Sequence, residues 1–422
     1  LGFIDEFDFN KVQNKLNRET LIEKLTPDLL RYREVSLPNY GNYNNGAQDI
    51  ASTLTMFPVK LVLGDIYLTG AQTQSDYEMA AQNYYDYLKD NGAYLPTQYT
   101  TTADKSSFSG EIDYSNSGWS SIFSSTTSPA GKSYNGEAIT VIPSSAGKLY
   151  GTVLTGVANV FGYRTNSSMS TDSEEGKEEE ATTSASVTAS PDVTYRQLVK
   201  VLDGAGDARQ AILRDVISMG SGNVSTTKFI GKPCYSGFSY TFPVIYRKAL
   251  VWLRFAEAIN RAGFPSYAFA ILKNGLCREY LPEYQTVIDT TETGEVDTLK
   301  IYYTTNKACS YIPQSEYDKA QSKTYLTFPS DFTYLSGTEA ANVGVHSRGC
   351  GEVGFADSTY YTYKNMVFKK CEEMGVDTVG VFAQDSLSYR IDAVENLIVD
   401  ELALETAWEG NRYPDLLRIA TE

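Results

Sequence analysis

Apolar residues recur at helical spacing in islands along the 422-residue chain, and polar tracts rich in Tyr, Ser, Thr and Gly separate the islands. Residues 57–69 (FPVKLVLGDIYLT) and 76–90 (DYEMAAQNYYDYLKD) are amphipathic stretches around a short polar turn. Their pattern predicts a helical hairpin, with Asp76 as N-cap of its second helix and Gly92 as its C-terminal stop. Residues 244–261 (VIYRKALVWLRFAEAINR) and 266–276 (SYAFAILKNGL), broken at Gly263, predict a second hairpin on the same plan. Small residues, Ala80 and Ala81 in one and Ala268 and Ala270 in the other, permit the close helix contact of tetratricopeptide-type pairs. No helix pair is evident before Gly46.

A third helix is predicted over residues 391–409 (IDAVENLIVDELALETAWE), followed by GNRYPDLLRIA. At about 100° per residue, Val394, Leu397, Ile398, Leu402, Leu404 and Trp408 share one face, and Glu401 and Glu405 fall inside it. Carboxylates on an apolar stripe are either salt-bridged in the interior or functional, because an unpaired buried charge is costly. With Arg390, Arg412 and Arg418 at hand, Glu401, Glu405, Arg412 and Arg418 read as a structural ion network. The competing reading, a metal clamp or an acid/base pair, lacks the second Glu-x-x-His half-site of a di-metal centre. In the 244–261 stretch, Arg247, Arg254 and Arg261 recur every seven residues, with Glu257 placed to pair with Arg254 and Arg261. This stripe reads as facing water or a neighbouring helix's carboxylates, with a polyanion groove as the alternative.

Two long irregular regions, 93–243 and 277–390, separate scaffold pieces at about 47–92, 244–276 and 391–420. Within the first, residues 166–190 are nearly devoid of apolar side chains and carry a Glu-rich knot, so they read as a mobile excursion. The second alternates β-prone pieces such as LKIYYTT and TYYTYKNMVF with polar turns. Loops this long are usually functional, and Tyr or Trp on them offers a flat apolar face with a polar edge for stacking on sugars or peptide side chains. Trp119, Tyr99, Tyr114, Tyr163 and Tyr360 are the candidate ligand-binding residues; the alternative is that they pack loops onto the scaffold.

Thirty-six Lys plus Arg against 52 Asp plus Glu leave a formal charge of -16, which excludes a nucleic-acid reader and disfavours anionic ligands. With 42% apolar residues the chain is globular. It has no apolar run long enough to cross a bilayer, and residues 1–10 have no signal-peptide pattern. Five widely spaced cysteines form no CxxC pair and read as buried free thiols. The one histidine, His346, removes chemistries that need two imidazoles, so no metal and no cofactor are expected. Its segment VHSRGC has no nucleophile-elbow pattern, and His346 reads as a hydrogen-bonding strut in a loop. GCGEVG spells GxGxxG at Gly349, Gly351 and Gly354, but no helical pattern follows it, so dinucleotide binding is not expected. Paired carboxylates for glycoside hydrolysis are defined by spatial separation, and nothing in the sequence selects a pair.

Several segments carry a family resemblance. FPVIYRKALVWLRFAEAINRAGFPSYAFAILKNGL resembles the mid-chain helix pair of the SusD/RagB family of nutrient-binding outer-membrane lipoproteins, and GVHSRGCGEVGF is similar to a loop of its RagB-like branch. ENLIVDELALETAWEGNRYPDLLRIA resembles the family's C-terminal signature of the form E-x-x-x-E, E-G, x-R, x-x-D-L-x-R. Here that form falls on Glu401, Glu405, Glu409, Gly410, Arg412, Asp415, Leu416 and Arg418. The first hairpin fits as well.

The resemblance implies a mainly α fold: one SusD-like domain over residues 1–422, a superhelix of tetratricopeptide-like pairs with long loop-rich insertions carrying short β-strands. It implies a non-enzymatic protein on the extracellular face of the outer membrane that captures oligosaccharides or peptides for a SusC-like TonB-dependent transporter. The family's lipidated Cys and signal peptide are absent from this stretch, so the chain reads as part of a longer protein and membrane attachment as an N-terminal lipid anchor outside it. A secreted glycoside hydrolase and a helical-repeat scaffold that binds only proteins are the alternatives.

Overall fold

The structure, a computed structural model, describes residues 17–18, 20–44, 49–92, 95, 137–142, 215–219, 225–229, 244–290, 296–328, 344–349, 354–355, 386–407 and 409–420. Over these residues the protein is mainly helical with a few short strands. In chain order the elements are α1 (Leu21–Leu30), β1 (Asn42–Asn44), β2 (Asp49–Ala51), α2 (Val59–Gly70), α3 (Gln74–Asn91), β3 (Ala138–Val141), β4 (Asp215–Met219), β5 (Ser225–Phe229) and β6 (Val244–Arg247). There follow α4 (Lys248–Arg261), α5 (Pro265–Lys273), β7 (Glu283–Thr290), β8 (Val296–Tyr303), α6 (Gln314–Ala320), α7 (Val345–Gly349), α8 (Ser386–Glu405) and α9 (Arg412–Ala420). The strands pair antiparallel two by two: β1 with β2, β3 with β6, β4 with β5 and β7 with β8.

Both expected hairpins form, α2 with α3 and α4 with α5, and one apolar core runs through them into α8. Ala80, Ala81, Ala268 and Ala270 are fully buried in that core. Gly92 follows α3 with φ 84°, and Gly263 separates α4 from α5 with φ 95°, a left-handed turn that a side chain would strain.

Three boundaries differ from the sequence reading. Thr73, not Asp76, is the N-cap of α3: its hydroxyl accepts from the Asp76 amide, and the Asp76 carboxylate accepts from the Thr73 amide at 2.9 Å, a capping box. Val244–Arg247, read as the first helical turn, is a strand, since Val, Ile and Tyr find β3 to pair with and the chain turns helical only at Lys248. The final long helix starts at Ser386 and stops at Glu405, and a separate α9 follows it. One helix, not a pair, precedes Gly46: α1 packs on α2 with Ile22 and Leu29 against the core, although Pro27 lies inside it and carries a local cost. Tertiary contact overrides that local penalty.

α4 is buried on all sides, with every residue from Lys248 to Asn260 inside the protein. Its flanks are α3, α5 and α8, and the β6 strand leads into its N-terminus. A helix so enclosed leaves its charged side chains no water, so they must find partners on neighbouring elements.

Candidate functional site

Trp119, Tyr99, Tyr114, Tyr163 and Tyr360 lie outside the described residues. What the structure does describe is a set of buried ion pairs around α4 and a cavity beside α2.

Glu137, just before β3, sits at the N-terminus of α4. Its carbonyl accepts from the Lys248 amide at 3.0 Å and its carboxylate from the Ala249 amide at 3.2 Å, where the helix dipole favours negative charge. Arg247 Nη1 donates to Glu137 Oε2 and to Glu405 Oε1, each at 2.9 Å. Its Nε donates to Glu409 Oε2 at 2.9 Å, and Nη2 to the Glu405 carbonyl at 2.6 Å. Arg348, from α7, bonds Glu137 through Nη1 and Glu405 Oε1 through Nη2. Burial alone raises the Glu137 pKa, but the Arg348 and Arg247 charges outweigh it and hold the carboxyl below its ordinary value. One α4 entry turn, one strap, one short helix and the end of α8 are thereby tied at a single point.

A second cluster lies further along α4. Arg418 of α9 grips Glu257 with Nε and Nη2 at 2.9 and 2.5 Å and donates to Asp415 at 2.8 Å. Arg254 donates to Asp65 of α2 at 2.7 Å and to Asp415 at 3.3 Å. Asp65 also accepts from the hydroxyls of Tyr84 at 2.6 Å and Tyr246 at 2.7 Å. Arg261 pairs with Glu395 of α8 at 2.6 Å.

The partners therefore differ from those the sequence indicates. Glu405 meets Arg247 and Arg348, Glu401 meets His346, and Arg390 meets Glu316 at 2.5 Å. Arg412 donates to the Val399 carbonyl at 2.9 Å. Glu257 pairs across to α9, not along α4 to Arg254 and Arg261. Same-helix pairs suit exposed faces; α4 has none, so inter-element partners win. Glu137, Arg348 and Asp65 escaped the sequence reading because their roles depend on elements far apart in the chain.

His346 lies on α7, a short helix where a loop was expected. Its Nδ1 is 2.7 Å from Glu401 Oε2, and its ring stacks on Phe355 with centroids 3.7 Å apart. The described cysteines, Cys277 and Cys309, are buried. Among the described residues no group of three or more His, Cys, Asp or Glu is arranged to hold a metal ion. None of the described helices is long and apolar enough to cross a membrane.

The cavity, of about 490 Å³, opens between residues 33–37, the turn before α2 and the last turn of α3. Its lining includes the aliphatic side chains of Leu54, Val59 and Ile139, and Leu54 and Ile139 belong to the buried set. On its rim Lys60 Nζ bonds Asp90 Oδ2 at 2.6 Å and Glu34 Oε2 at 2.9 Å. Burial tends to neutralise Lys60, but the two carboxylates outweigh this and its pKa rises, so it stays a cation. Glu34 and Asp90 themselves are 67% and 53% exposed at the side chain. Tyr87 also lines the cavity and is 4% exposed.

Comparisons with protein families, with curated proteins and with solved structures return no match to this chain.

Proposed function

We propose that this protein is a non-enzymatic binding protein of the cell surface, which captures oligosaccharides or peptides and hands them to a SusC-like TonB-dependent transporter in the outer membrane. In this reading α2/α3 and α4/α5 are units of a tetratricopeptide-like superhelix, the aromatic residues of the long intervening regions hold ligand, and a lipid anchor outside this stretch tethers the chain. The observation that carries it is the fate of the C-terminal motif. Glu405, Asp415 and Arg418, which carry the resemblance and include the strongest acid/base candidates of the sequence, are buried and bonded to opposite charges. Carboxylates held this way brace a scaffold, since a reacting acid must reach substrate. The motif and the hairpins it ties together support a passive receptor over a hydrolase.

Isothermal titration against a panel of neutral oligosaccharides and short peptides tests the reading, with product analysis of the same mixtures. Saturable heat without bond cleavage is expected. Release of free sugars would favour a glycoside hydrolase, and silence across the whole panel would favour a scaffold that binds only proteins.

A further inference from the structure

We infer that the β7–β8 hairpin is a docking arm for a partner protein, which lays an extended aliphatic segment bearing Lys or Arg along the outer edge of β8 as a third strand. This goes beyond the proposed function: it concerns assembly, not ligand capture, and stands or falls without that reading. The alternation of the two strands, their open edges and their charge point to it.

Both strands run for 8 residues, and side chains along a strand alternate between its two faces. One face anchors the arm. Its Tyr284 and Tyr302 rings pack on Tyr317 of α6, with centroids 5.9 and 5.4 Å away, and Asp318 accepts from the Tyr284 hydroxyl at 2.5 Å. The other face carries Val287 directly opposite Leu299, with Ile301 next along the same side. These three side chains are 41%, 46% and 48% exposed. Adjacent aliphatic groups left open to water in this way mark an interaction surface.

Among the described residues β7 and β8 pair with each other and with no further strand, so the outer edge of each is open. Two strands alone are marginal in water, and a third adds main-chain hydrogen bonds along its length. Laid beside β8, it also covers Leu299 and Ile301. Charge then selects the occupant. At the base of the arm Glu283 is answered by Lys307 at 3.3 Å and by the charge of Arg278, and Lys300 lies on the Tyr284 face. Further out, the register sets Asp289 opposite Asp297 on the aliphatic face, where neither strand places a cation. Like charges on one rung are disfavoured. A second copy of the chain, with its formal charge of -16, would add to that repulsion, whereas a segment with a Lys or Arg at this end relieves it.

The test titrates the full chain with a fluorescently labelled strand, Lys-Val-Thr-Val-Thr-Ile-Thr-Lys, read by polarisation. One control replaces both Lys by Glu; a second is N-methylated at alternate residues and so lacks the main-chain donors of a pairing edge. The parent strand is expected to bind, and both controls to bind at least about tenfold more weakly. Leu299→Thr combined with Ile301→Thr keeps strand-forming residues at exposed positions. This pair is expected to weaken the parent strand about tenfold while the melting temperature stays put. Asp289→Asn combined with Asp297→Asn is expected to remove most of the parent's advantage over the Glu control. Parent binding that survives both pairs of substitutions overturns the arm as the site. Equal binding of the parent and the Glu control overturns the charge of the occupant, and absence of parent binding overturns the inference as a whole. A dimer in sedimentation equilibrium that Leu299→Thr with Ile301→Thr disperses would make a second copy the occupant and overturn it too. None of these outcomes bears on ligand capture, which has its own titration.

Discussion

Arg348 Nη2 and Glu405 Oε1 meet at 2.5 Å with both side chains buried, joining residues 57 apart in the chain. Arg348 also serves Glu137, so two buried carboxylates depend on it. Arg348→Met leaves Arg247 as the remaining buried arginine, among the described residues, that bonds Glu137, Glu405 and Glu409. The expected loss is about 3–5 kcal/mol, as for other broken interior ion pairs, read from urea unfolding at neutral pH. Arg348→Lys restores the charge without the two-pronged fork and is expected to recover only part of it. A loss for Arg348→Met below about 1 kcal/mol, the level of an exposed pair, would show that the network contributes nothing beyond surface charge.

Gly64 lies in α2 under the ring of Tyr84. A methyl carbon at Gly64 would stand 2.6 Å from Tyr84 Cε1, and the Tyr84 hydroxyl is held by Asp65, so the ring cannot withdraw freely. Helix propensity alone favours Ala by about 1 kcal/mol, whereas overpacking costs about 1–3 kcal/mol. Gly64→Ala is expected to lower stability, and a higher unfolding midpoint would contradict the close approach.

Lys248 is buried at the start of α4, and burial pushes its ammonium down to about 8 despite the opposing pull of Glu137, against an ordinary value of 10.5. Between those two values the unfolded chain holds more protons than the folded one, so this group's contribution makes stability rise with pH across that window. Lys248→Met should therefore stabilise the protein most at neutral pH, by about 1–3 kcal/mol. The gain should shrink as pH approaches 10.5. A gain independent of pH would mean that apolar packing, not the charge, accounts for it.

Tyr84 and Tyr246 behave in the opposite sense. Burial, assisted by the charge of Asp65, pushes Tyr84 well above the ordinary 10.0; burial does the same for Tyr246, with Arg254 opposing and Asp65 assisting. Above pH 10 the folded state keeps protons that the unfolded chain releases, so their contribution is lost as pH rises further. Phenolate absorbance from these rings is expected to appear together with the loss of far-ultraviolet dichroism. Smooth titration ahead of unfolding would place them nearer water than the geometry does.

Trp119→Ala addresses the ligand-holding role proposed for the aromatic residues of the 93–243 region. Base or sugar stacking on one indole is worth about 1–3 kcal/mol, so ligand affinity should fall about tenfold or more while the unfolding midpoint stays put. Unchanged affinity removes Trp119 from the binding residues.

The sequence by itself determined the two hairpins, because their apolar periodicity, the small residues at their contacts and the glycines at their ends act locally and agree with one another. It likewise placed Glu401 and Glu405 on the apolar stripe of the last long helix. Tertiary structure alone decided where α1 holds despite Pro27, that Val244–Arg247 joins a strand, and which cation each carboxylate meets. Those outcomes turn on neighbours tens to hundreds of residues away, as with Arg247 and Glu137, 110 positions apart. A side chain's spacing along its own helix says which way it faces; only the packing of α4 against α3, α5 and α8 fixes what stands opposite it.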